Sequence, residues 1–117
     1  MTRTPFAQAR APTGHELKLW AALVAKATLL ARKPASDPSP LRRAAERAGK
    51  ARMPIGQQSK DSPLFRLYAL ATLWWRLAPG VRVERSADLA ECADAVREVL
   101  EAAAEPPAVR HRADIDD

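Results

Sequence analysis

Prolines and small capping residues cut this chain into helix-length pieces, and that punctuation leaves little room for any other architecture. Thr13-Gly14-His15-Glu16 is a T-x-x-E capping box, in which hydroxyl and carboxylate satisfy backbone amides that a helix start leaves free. Leu17, Trp20, Leu23, Val24, Ala27, Leu30 and Ala31 then recur on one helical face. Pro34 forbids a further turn, so a first helix is predicted over 13–33. The run 34–40, Pro-Ala-Ser-Asp-Pro-Ser-Pro, is a turn-rich linker. Ser39 reads as an N-cap and Pro40 as the first residue of a second helix over 40–52. Its inner face is thin: Leu41, Ala44, Ala45, Ala48 and Ala51. Ser62-Pro63 repeats the cap-then-proline start, and a third helix over 63–78 runs to Pro79-Gly80. Val81-Arg82-Val83-Glu84 alternates too briefly for a strand and reads as an extended connector. Ser86 caps a fourth helix over 87–105, with inner residues Leu89, Ala93, Val96, Val99, Leu100 and Ala103, before Pro106-Pro107.

The fold class that follows is all-α, a bundle of about four helices in one domain over 13–105. Residues 1–12 read as a disordered basic arm and 106–117 as a disordered polar tail. Much of the 47% hydrophobic content is Ala. The core therefore rests on large residues: Leu17, Trp20, Leu23, Val24 and Leu30 early in the chain; Leu64, Phe65, Leu67, Tyr68, Leu70, Leu73, Trp74, Trp75 and Leu77 in the third helix; and Leu89, Val96, Val99 and Leu100 in the last. Between Leu64 and Leu77 only Arg66, Thr72 and Arg76 are clearly polar. A helix so apolar is central or lies at a subunit contact. It is too short to span a bilayer. Cys92 is the only cysteine, which excludes an internal disulfide and fits a cytoplasmic protein.

Charge divides the chain in two. Residues 1–60 carry 12 Lys/Arg against 3 Asp/Glu, and residues 61–117 carry 7 against 11. A basic half on a chain of pI 10.0 points to a polyanion, most simply nucleic acid. The second helix supplies Arg42, Arg43 and Arg47, with Lys50 and Arg52 at its end. Guanidinium forks grip phosphate in bidentate fashion. Lys26 and Lys33 extend the strip, provided the first two helices lie side by side. Lys18, Arg32 and Lys60 add to the basic field. Such contacts neutralise backbone without reading bases. RNA or single-stranded DNA is favoured over duplex. The acidic outer face of the last helix, with Asp94, Glu98 and Glu101, would complement this strip in a head-to-tail contact between copies.

Catalytic signatures are missing: no G-x-S-x-G, Walker A, H-E-x-x-H or G-x-G-x-x-G. His15 and His111 pair with nothing at recognisable spacing, and Cys92 reads as an inert thiol. Asp114-Ile115-Asp116-Asp117 lacks the glycine and distal glutamate of a calcium loop. No enzymatic activity, metal or cofactor is expected. Two other functions stay open. In one, the third helix docks a protein partner through Leu64, Tyr68, Trp74 and Trp75; adjacent tryptophans point about 100° apart, so one can be core while the other faces outward. In the other, Leu41–Gly49 is the first helix and turn of a helix-turn-helix DNA-binding regulator with Ile55 in the recognition helix, although Pro54, Gly56, Lys50 and Gln58 break that pattern.

The Arg-rich helix from Leu41 to Arg52 and the apolar helix from Leu64 to Leu77, in a small basic all-helical chain, resemble the small helical subunits of class 1 CRISPR ribonucleoprotein complexes. The resemblance implies a non-catalytic subunit that holds nucleic acid backbone within a filament, against other subunits or copies of itself. It transfers no individual site residue.

Overall fold

The computed structural model describes residues 11–104. The arm expected over 1–12, but for its last two residues, and the tail over 106–117 lie outside the described residues. The described chain is all-α: α1 Gly14–Arg32, α2 Ser39–Ala48, α3 Pro63–Trp74, α4 Pro79–Glu84 and α5 Ser86–Ala104. Four long helices form a ring in chain order. α2 lies against α1 and α3, and α5 lies against α3 and α1, closing the ring, while short α4 joins α3 to α5.

The α1 capping box forms as expected. The Glu16 amide donates to Thr13 Oγ1 (3.1 Å) and the Thr13 amide to Glu16 Oε1 (2.9 Å). Glu16 reaches further, for its Oε2 accepts the Arg52 amide at 3.2 Å. Trp20 Nε1 donates to the Arg52 carbonyl at 2.9 Å. These bonds tie the start of α1 to the chain just beyond α2, so the two helices run antiparallel.

The other helix starts differ from the sequence reading. Ser39 does not cap α2; it is the first helical residue, and Asp37 Oδ1 accepts its amide at 3.0 Å. α2 ends at Ala48, four residues short of expectation, with Gly49 as its C-cap still donating its amide to the Ala45 carbonyl at 2.9 Å. Ser62 does not cap α3, because its hydroxyl turns back onto the carbonyls of Gln57 and Ser59. Gln57 Oε1 instead accepts the Leu64 amide at 3.1 Å. α3 ends at Trp74, and the stretch expected to be an extended connector is helical α4, for which Pro79 supplies a preset φ at the first position. Ser86 lies within α5, its hydroxyl donating to the Val83 carbonyl.

The core joins Trp20, Leu23, Val24, Ala27 and Leu30 of α1 with Leu41, Ala44, Ala45 and Ala48 of α2, Leu64, Leu67, Leu70, Ala71 and Trp74 of α3, and Leu89, Ala93, Val96 and Leu100 of α5. Leu41, absent from the large-residue set, is fully buried. Two members of that set face outward: Leu73 is 46% exposed and Trp75 38%. Leu17, Tyr68 and Leu77 are half-buried against the core. α3 is thus one corner of the ring, not its centre, and its apolar excess reaches the surface. None of the described helices is long and apolar enough to cross a membrane.

Candidate nucleic-acid interface

Helical spacing builds one continuous groove between the outer surfaces of α1 and α2. Leu19, Ala22 and Lys26 share a face of α1, and Arg43, Arg47 and Lys50 line up at i, i+4 and i+7 along α2 and its first following turn. Two adjoining depressions, of about 280 and 660 Å³, share Leu19, Arg43 and Arg47. Lys26 and Pro40 lie at one end, and His15, Glu46 and Lys50 at the other. Lys26, Arg43, Arg47 and Lys50 are exposed. None of the four forms an ion pair among the described residues. Apolar Leu19, Ala22 and Ala44 line the groove between these cations. Asp37 is held below the usual carboxylate range by the Ser39 amide and, more weakly, by the charges of Arg43 and Arg82.

The other predicted phosphate contacts lie elsewhere. Arg42, one residue from Arg43, points about 100° away. Its guanidinium sits over the Trp75 ring at 4.2 Å and pairs with Glu46 at 3.3 Å. Arg76 approaches the same ring at 5.1 Å. An exposed cation–π contact is worth roughly 0.5–1 kcal/mol, and an exposed ion pair about 0–1 kcal/mol, so Arg42 is held only lightly. Lys33 follows the end of α1 and Arg52 follows α2; both are exposed, and neither lines the groove. Arg52 contributes through its backbone, as above. Lys18 and Lys60 line other surfaces, Lys18 between α1 and α5 and Lys60 between α3 and α5 beside Arg66 and Arg85.

The expected partner face on α3 is dismantled. Leu64 and Trp74 are fully buried core. Tyr68 is half-buried, edge-on to Trp20 with ring centroids 6.0 Å apart. Trp75 alone of the four is exposed. An open, mostly apolar groove of about 780 Å³ lies instead between α1 and α5, lined by residues that include Leu17, Ala21, Leu29, Leu100 and Ala104. Hydropathy gave a hint here, since Leu29 stands outside the α1 stripe and is 55% exposed. Arg97 crosses the same seam, donating to Thr28 Oγ1 at 3.0 Å and pairing with Asp94 at 2.6 Å.

Residues 49–62 contain no helix, and Ile55 is 72% exposed. No recognition helix follows Gly49, so the helix-turn-helix arrangement does not form. Cys92 is half-buried, and loss of hydration pushes its thiol above the ordinary value, which disfavours the reactive thiolate. Sequence reasoning missed Arg82 altogether. It is 7% exposed, and its Nε and Nη1 have no acceptor among the described residues. Compared with known proteins, the chain matches no family model, no curated protein and no solved structure.

Proposed function

We propose that this protein binds nucleic acid backbone without sequence preference and without catalysis, as a cytoplasmic subunit of a larger ribonucleoprotein-like assembly. The observation that supports it best is the α1–α2 groove, where Lys26, Arg43, Arg47 and Lys50 come together from two helices with no ion-pair partner among the described residues. Cations in that arrangement release counterions when phosphates replace the ions around them. The resemblance to the small helical subunits of class 1 CRISPR complexes supports placement beside other subunits. The acidic residues Glu91, Glu98 and Glu101 are exposed on α5, and α5 lies diagonally across the ring from α2. Copies stacked head to tail would therefore bring opposite charges together.

Binding to labelled single-stranded RNA, single-stranded DNA and duplex across a salt series tests the proposal. For four phosphate contacts on a single strand, log K should fall against log salt with a slope of roughly −3. Arg43→Glu with Arg47→Glu should abolish binding, and Lys33→Ala should leave it nearly unchanged. No binding at low salt, or equal binding by the double variant, would reject the proposal.

The α1–α5 groove favours a second reading, a helical protein-interaction module. Its occupant would be an apolar helix face of another subunit, and Lys18 and Glu101 on the groove lining offer opposite charges to the flanks of such a helix. Association there would barely change with salt.

A further inference from the structure

The geometry points to single-stranded nucleic acid, with one unpaired base stacked on Trp75, as the occupant of the basic face. This inference rests on the backbone-binding reading and names its substrate class. Trp75, at the end of α3, and the α1–α2 groove flank α2 on two sides. Arg43 and Arg47 face α1, while neighbouring Arg42 faces α3 and covers the Trp75 ring. A strand crossing α2 would leave its phosphates on Arg43 and Arg47 and carry a base over to the ring. A duplex keeps its bases stacked inside and cannot use that ring.

The immediate surroundings suit the exchange. Arg42 and Arg76 both stand within cation–π range of Trp75, so the ring lies in a positive field that attracts the strand. Arg42 also neutralises Glu46, the one carboxylate on the groove lining. Its contacts are exposed, and a nucleobase offers a larger π-face than the guanidinium it displaces. The displaced guanidinium stays on α2 beside Glu46, so that carboxylate remains neutralised as the strand binds.

The three tryptophans make the test direct. Trp20 and Trp74 are fully buried, so acrylamide in solution reaches Trp75 first. With oligo-dT and oligo-U of equal length, binding should quench Trp75 emission and shield it from acrylamide; an equal-length duplex should do neither. Trp75→Leu should weaken single-strand binding about fivefold to tenfold and leave duplex binding unchanged. Trp75→Tyr, which keeps a ring, should recover most of the loss, and circular dichroism checks that both variants fold. Tighter binding of oligo-U than of oligo-dT identifies RNA as the source, and the reverse order identifies DNA. Salt-sensitive binding that Arg43→Glu/Arg47→Glu abolishes, but that leaves Trp75 emission and Trp75→Leu affinity unchanged, overturns the stacking inference alone. Absence of binding to any oligonucleotide overturns both.

Discussion

At Gly49 the end of α2 meets the Tyr68 ring of α3 with no room for a side chain. A Cβ there would stand 2.6 Å from the Tyr68 hydroxyl oxygen and 3.1 Å from its Cε1. Its backbone is ordinary, with φ −62°, so the demand for glycine comes from contact and not from strain. Gly49→Ala should cost about 1–2 kcal/mol in denaturant unfolding through overpacking. Adding Tyr68→Phe, which removes the nearest atom, should recover part of that loss; strict additivity would show that the two residues do not meet. Arg82 presents the opposite problem, a guanidinium buried with two nitrogens unpartnered among the described residues. Replacing a poorly paired buried charge by an apolar side chain of similar size is often neutral or stabilising. Arg82→Met is therefore expected to hold stability or raise it by about 1 kcal/mol, and a comparable loss would reveal a partner for the charge.

Among the elements, α1 carries the clearest sequence signature and the clearest pH prediction. The amides of Thr13 and Arg52 hold the Glu16 carboxyl below its usual range, outweighing the opposing effect of desolvation. Because the folded value is depressed, the stabilisation is complete above the ordinary carboxylate value and is lost as pH falls through the folded one. The melting temperature should fall more steeply below about pH 5 in the native chain than in Glu16→Gln; parallel curves would show that Glu16 does not fasten the helix start. The element boundaries show why one local signature is readable and another is not. Thr13 and Glu16 lie three residues apart, so the box can be read directly. Gln57 caps α3 from seven residues before Leu64, a distance no cap pattern encodes. α4 inverts hydropathy: Val81 and Val83 are 38% and 52% exposed while Arg82 is buried. Its alternation therefore suggested an extended segment, and only packing against the bundle reveals a helix.

In the whole molecule, the four-helix architecture was legible because Pro34, Pro40, Pro63 and Pro79 cut the chain into helix-length pieces, although of the four expected caps only Thr13 caps through its side chain. The candidate groove was legible in part. Arg43, Arg47 and Lys50 share a face by spacing alone, and the same spacing turns Arg42 about 100° away from them, whereas Lys26 joins them only because α2 packs on α1. Adjacent tryptophans had to point apart, but two guanidiniums around Trp75 could not be read from the chain. The ring order has a kinetic meaning. The α1–α2 pair is fastened by Trp20 and Arg52, 32 residues apart, and the closing seam by Thr28 and Arg97, 69 apart. Loop-closure entropy grows only with the logarithm of length, so this doubling adds about 0.6 kcal/mol. Docking the last helix thus asks little more of the chain than forming the first hairpin, and chain entropy alone gives a three-helix intermediate no resting place.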